Sequence, residues 1–158
     1  MGKQEEPQKL VSKEYVLITV LHFLISLNFY TLMTVTPTYV LSEFNLSVGQ
    51  AGLATGLFVF GVLSSRFFSG ALMNRIGFKR MQVLGILTIV IVSCGYFFVH
   101  LPVLLFLVRF FNGFGFGVVS TANTTVISSI IPRNRSGEGI GYFTMFQMLC
   151  MAFGPFAA

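Results

Sequence analysis

Apolar residues run through the chain in five long stretches, at about 15–40, 48–73, 81–99, 102–131 and 139–158. A helix needs about 20 such residues to cross the roughly 30 Å hydrocarbon layer of a bilayer, and each stretch approaches or exceeds that length. A spanning β-barrel strand would alternate apolar and polar residues over about ten positions, whereas these runs are continuous. The pattern therefore predicts an all-α fold, a polytopic transmembrane helix bundle of five helices over residues 14–158. A polar, mixed-charge segment at residues 1–13 reads as a solvated N-terminal tail.

Composition agrees with that pattern. Apolar residues make up 54% of the chain and charged residues only 9%, with nineteen Phe and no Asp; soluble domains carry about a quarter charged residues. The bases are confined to alternate connections. Lys3, Lys9 and Lys13 precede the first helix, Arg75, Lys79 and Arg80 separate the second from the third, and Arg133 and Arg135 separate the fourth from the fifth. The remaining two connections, around Glu43 and at His100-Leu101-Pro102, hold no Lys or Arg. By the positive-inside rule the N-terminus is expected to be cytoplasmic in a multi-pass protein of the cell membrane. Bases distributed as helix stops do not form the basic face with stacking aromatics that a nucleic acid requires. The first apolar run is too long for a secretory leader and lacks a small-x-small cleavage site after Val40. Cys94 and Cys150 lie within apolar runs, without redox or metal-ligand spacing. Two separated His and no nucleophile–base pair on a polar loop argue against an enzyme; no cofactor or metal is expected.

Polar residues inside the runs are the candidates for chemistry, because polar atoms in lipid need internal partners or a water-filled cavity. His22 and Asn28 lie in the first helix, six positions apart and so not on one narrow face. His22 reads best as a structural hydrogen-bonding residue, while Asn28 suits cavity lining and structural bonding equally. Arg66 is deep enough in the second helix to need snorkelling or a carbonyl partner. Arg109, with Asn112 close to the same face, has no carboxylate within any apolar run. Its partner is expected to be a carbonyl, an amide such as Asn28, a group on a helix outside this chain, or a substrate, and a role in transport or proton coupling follows. Gly49, Gly52, Gly56 and Gly61, and then Gly113 and Gly117 with Thr121, are small residues at spacings that let helices pack closely in lipid. Glu138 opens the fifth helix, where the helix dipole favours it; a latch from Glu138 to the bases at 75–80 is the alternative use.

The connection between the second and third helices carries the most specific pattern: Gly70, Leu72, Asn74, Arg75, Gly77, Lys79 and Arg80, a glycine-punctuated basic turn. It resembles the loop motif of the major facilitator superfamily, with Asn74 where the family usually has Asp and Phe78 where a base is common. Arg109, Asn112, Gly113, Gly115 and Gly117 resemble the family's fourth-helix motif, with Asn in place of Gln. Gly154-Pro155 matches part of the fifth-helix motif of drug antiporters, with Cys150, Ala157 and Ala158 in place of its outer glycines. The resemblance covers the whole chain as the first five of usually twelve helices, an incomplete N-terminal half, and an apolar end at Ala158 fits a longer protein.

The resemblance implies a secondary transporter working by alternating access, with protons and a small-molecule substrate as partners beside the lipid bilayer and the remaining helices of the full-length protein. Gly70, Asn74, Arg75, Gly77, Lys79 and Arg80 would form a cytoplasmic gating loop. Arg109, Asn112 and Asn28 would serve proton coupling or substrate, and Gly113, Gly117, Gly154 and Pro155 would pack helices. Proton-coupled efflux of small amphipathic compounds or drugs is the leading expectation. Uptake of a sugar, metabolite or metal chelate is the second, and a non-transporting helix-association module the third.

Overall fold

A computed structural model describes residues 12–156. Five α-helices follow one another: α1 (Lys13–Glu43), α2 (Val48–Ile76), α3 (Phe78–Gly95), α4 (Pro102–Ile130) and α5 (Ser136–Phe153). Short 3-10 turns cover Tyr96–Phe98, Arg133–Arg135 and Gly154–Phe156, and no strand occurs among the described residues. The chain is an all-α bundle, and α1 to α4 are each long and apolar enough to cross a membrane. Most of the tail at 1–13 and both Ala157 and Ala158 fall outside the described residues.

Local chemistry sets the ends of these helices. Ser12 caps α1, its Oγ accepting from the Tyr15 N–H at 3.1 Å, which satisfies one otherwise orphaned donor of the first turn. Ser47 and Gln50 exchange bonds across the first turn of α2, with Ser47 N–H donating to Gln50 Oε1 at 3.0 Å and Gln50 N–H donating to Ser47 Oγ at 3.3 Å. That reciprocal pair is a capping box. Pro102 begins α4, where its missing N–H costs nothing. The last α-helix gives way at Phe153 to a 3-10 turn over Gly154–Phe156, where Pro155 has no N–H to continue the α-helical ladder.

The segment expected as a loop at 70–80 is nearly all helix. Gly77 alone separates α2 from α3, with φ 80° and ψ 161°, a conformation essentially restricted to glycine. One residue can therefore turn the chain. Arg75 then occupies the last turn of α2, and Lys79 and Arg80 the first turn of α3. The hairpin is tighter than a basic loop and presents its charges from helical positions.

The bundle is organised around α4, which packs on both α2 and α3 and also touches α1. Half of the most apolar stretch of α4 is buried (50%), against 11% for α3. Glycines set the spacing. A Cβ on Gly113 would meet the Phe58 backbone, with Phe58 Cα at 3.0 Å, and one on Gly117 would meet Ser65 Oγ and the Val62 carbonyl oxygen, the latter at 2.9 Å. From the other side Gly61 lies against the backbone of Phe110 and Phe114. Across α3, Gly115 and Gly85 make the same kind of approach, with Ile89 and Val119 as their neighbours. Gly154 meets Tyr30 and so holds the end of α5 against α1. Gly52, Gly56 and Gly70, by contrast, face open space. The small-residue stripe of α2 is thus used for packing at Gly61, while its other glycines are left uncovered within the described residues.

Gly113→Ala is expected to cost about 1–3 kcal/mol, since overpacking forces the α2 and α4 backbones apart. Gly56→Ala is expected to be neutral or stabilising by up to about 1 kcal/mol, because Ala is the better helix former. Thermal unfolding of the two variants in detergent, followed by helical circular dichroism, checks the contrast; equal melting behaviour would contradict the close approach.

Candidate functional site

Two groups of polar side chains occur within the apolar bundle. The first surrounds Arg109, which is 1% exposed at the eighth position of α4. Its Nη2 donates to the Leu32 carbonyl oxygen and to Thr36 Oγ1, both on α1. Thr36 Oγ in turn donates to the same Leu32 carbonyl at 2.7 Å. Pro37 immediately follows and lacks the N–H that would otherwise bond the Met33 carbonyl, one residue on from Leu32. The guanidinium carbon lies 5.9 Å from the centre of the Phe58 ring on α2, within reach of cation–π attraction. Arg109 thus ties α4 to α1 and α2 by a carbonyl, a hydroxyl and a ring. The expectation that Asn28 holds it is not met: Asn28 is exposed on α1, two turns before Thr36. Asn112 is buried beside Arg109, and its Nδ2, Arg109 Nε and the Tyr96 hydroxyl make no hydrogen bond among the described residues.

The second group opens onto a cavity. A chamber of about 430 Å³ is lined by His22 of α1, Arg66 of α2, Ser120 and the threonines at 121, 124 and 125 of α4, and Gln147 of α5, with Phe116 on one wall. Arg66 is exposed to it and makes no ion pair among the described residues, so the guanidinium faces open space rather than a fixed carbonyl. His22 is only 3% exposed. Its ring rests against Phe143, with centroids 4.6 Å apart, and its Nδ1 lies 3.4 Å from Asn123 Nδ2. Asn123, wholly buried, is oriented by Gln82 of α3, whose Nε2 donates to Asn123 Oδ1 at 2.7 Å. The sequence singled out His22 and Arg66 separately, yet it gave no hint of Asn123 and Gln82. Gln82 is an amide within apolar α3, and Asn123 is the second amide of α4 after Asn112.

The remaining expected residues lie apart from the chamber. Gly70, Asn74, Arg75, Gly77, Lys79 and Arg80 are exposed around the α2–α3 hairpin. Glu138 is held by Arg135 in its own turn, through bonds of 2.9 Å from both Nε and Nη2, and not by the hairpin bases; the two are close in sequence and need no loop to bring them together. Pro155 is exposed. Cys150 is buried and its Sγ lies 3.3 Å from the Phe23 carbonyl oxygen, a packing contact between α5 and α1. No cluster of His, Cys, Asp or Glu able to hold a metal occurs among the described residues.

If the amide relay orients His22, Asn123→Ala leaves both Gln82 and the imidazole without a partner. A loss of about 1–3 kcal/mol is expected, the usual cost of an unsatisfied buried polar group. Chemical unfolding in detergent measures it, and an unchanged midpoint would show that the relay contributes nothing.

Comparison with known proteins agrees with this architecture. The chain is 29% identical over 100 residues to the cis,cis-muconate transport protein of Acinetobacter baylyi, covering 63% of this chain and 24% of that protein. It is 27% identical over 122 residues to the multi-drug resistance efflux pump PmrA homolog of Lactococcus lactis, covering 75% of this chain and 30% of the pump. Siderophore iron transporter 2 of Schizosaccharomyces pombe is 26% identical over 143 residues, covering 85% of this chain and 24% of the transporter. The chain thus spans between about a quarter and a third of the length of these relatives, which carry the names of transporters and not of enzymes. The model of the Major Facilitator Superfamily matches residues 18–158, and the chain belongs to that family as a multi-pass membrane protein.

Proposed function

We propose that this chain forms the front part of a secondary active transporter that works by alternating access and exports small amphipathic compounds in exchange for protons. The observation that carries the reading is the polar chamber between α1, α2, α4 and α5. In a largely apolar bundle, a cluster of polar groups facing open space suits a path for a solute, because such groups are costly against lipid. Arg109 reaches α1 at Thr36, next to the Pro37 inside that helix, and so joins the two helices beside a weakened turn. The relative named as a multi-drug efflux pump supports export, as does the resemblance of Gly154-Pro155 to the fifth-helix motif of drug antiporters, with Gly154 packed on Tyr30 of α1. Arg109 and Asn112 would serve coupling from within the α1–α4 contact. The exposed glycines of α2 and the α2–α3 hairpin would form the surface that meets the remaining helices during gating.

Arg66 favours a second reading. An unpaired guanidinium on the chamber wall suits a substrate with an anionic group, and the relative named as a muconate transport protein is in keeping with uptake of an organic acid. In everted membrane vesicles containing the full-length protein, export predicts accumulation of carboxyfluorescein or ethidium when the interior is acidified, and its loss in Arg109→Ala. Uptake predicts instead that whole cells accumulate a radiolabelled organic acid. Movement of neither class in either direction would sink the transporter reading.

The proposed orientation has the N-terminus, the α2–α3 hairpin and the α4–α5 connection in the cytoplasm of a cell whose plasma membrane holds the protein. With Cys94 and Cys150 replaced by Ser, a cysteine at Lys79 or Arg133 is expected to escape an impermeant maleimide in intact cells. A cysteine at Glu43 is expected to react. Equal labelling at all of these positions would overturn the topology.

A further inference from the structure

We infer that the chamber between α1, α2, α4 and α5 is a recognition site for a hydroxylated organic anion, with its carboxylate on Arg66 and His22 and its hydroxyl groups on the α4 hydroxyl row. The inference rests on reading the chamber as the substrate's path and adds the class of molecule that would bind there.

The donors and acceptors around the cavity are sorted by the hydrogen bonds already made. Gln82 donates to Asn123 Oδ1, so the amide of Asn123 turns its NH2 toward His22 Nδ1. Nδ1 therefore accepts, and in a neutral ring the single proton lies on Nε2. That Nε2–H is buried and makes no hydrogen bond among the described residues, although the residue lines the chamber. Placing a second proton on Nδ1 would set it against the Asn123 NH2 and would require both amides to invert together. With the amides so placed, the neutral ring of His22 offers Nε2–H as a donor. On the lining of the same cavity, Arg66 contributes a guanidinium whose paired N–H groups match a carboxylate.

The α4 wall has the opposite character. Ser120 and Thr121 donate to the Gly117 carbonyl oxygen at 3.1 and 2.8 Å, Thr124 donates to the Ser120 carbonyl at 2.8 Å, and Thr125 donates to the Thr121 carbonyl at 2.8 Å. Each hydroxyl hydrogen is consumed within the helix, so these oxygens offer lone pairs only. They suit a ligand that brings its own O–H donors. A plain fatty acid satisfies Arg66 and His22 but leaves the row unused, and an uncharged sugar satisfies the row but leaves Arg66 without an anion.

Binding of radiolabelled D-gluconate to the protein in lipid nanodiscs tests the assignment, with unlabelled hexanoate and glucose as competitors. Gluconate is expected to bind roughly tenfold or more tightly than either, as hydrogen bonds to charged groups are worth enough for such a factor. Arg66→Gln is expected to weaken gluconate by a similar factor, while the paired change Thr121→Val and Thr124→Val brings gluconate and hexanoate to about equal affinity. Circular dichroism confirms that each variant keeps its helix content. Nitrogen NMR of His22 is expected to show the Nε2-protonated neutral ring, with a change on adding gluconate. Equal binding of gluconate and hexanoate, equal binding of gluconate and glucose, no gluconate binding, an unaltered Arg66→Gln affinity or an Nδ1-protonated ring would each overturn the inference. Transport of another solute without gluconate binding leaves the transporter reading intact and removes this one; selective gluconate binding without movement across vesicles does the reverse.

Discussion

The close approach of the α2 and α4 backbones holds the rest of the structure in place. In lipid, water exclusion does not drive helices together, so association depends on dispersion contacts and on polar groups that find partners across the interface. Gly61, Gly113 and Gly117 remove the side chains that would keep the two backbones apart. With α2 and α4 brought together, Phe58 comes within reach of Arg109, and Ser120 of α4 comes to line the same cavity as Arg66 of α2. The glycines contribute no chemistry of their own, yet both polar groups depend on the spacing they permit.

The two guanidiniums inside the bundle have different environments. Arg109 is enclosed and is bound to a carbonyl, a hydroxyl and an aromatic face, which compensates for the cost of taking a charge out of water. Arg66 has no such partners and faces a cavity. An arginine already committed to its own protein is a tether that can transmit a movement of α1 to α4, whereas one left unsatisfied is free to meet a ligand. The same division applies to the amides. Asn123 and Gln82 are committed to orienting His22, while Gln147 lines the chamber.

The break between α2 and α3 illustrates how a short pattern can be read correctly as a turn and incorrectly as a loop. Gly70 to Arg80 holds enough polar residues to end a membrane helix, and that much follows from composition. Its shape depends on the backbone of Gly77, where a positive φ lets a single residue reverse the chain direction. The bases then remain on helical turns. Glu138 was legible as a first-turn carboxylate, and its pairing with Arg135 needs only a separation of three residues.

What the sequence determined by itself was the all-helical set of elements, their approximate extent and the confinement of bases to alternate connections, because a long apolar run that crosses a hydrocarbon layer must meet that requirement through its own composition. The structure alone decided which polar residue does what. Asn123 meets His22 across 101 positions and Gln82 across 41, and Arg109 finds its partners 77 and 73 positions away. Such pairings depend on which helix faces lie together, and periodicity along a uniformly apolar helix carries almost no record of that. The glycines announced close contact, but which of them have neighbours and which stand open was set by the packing of whole helices.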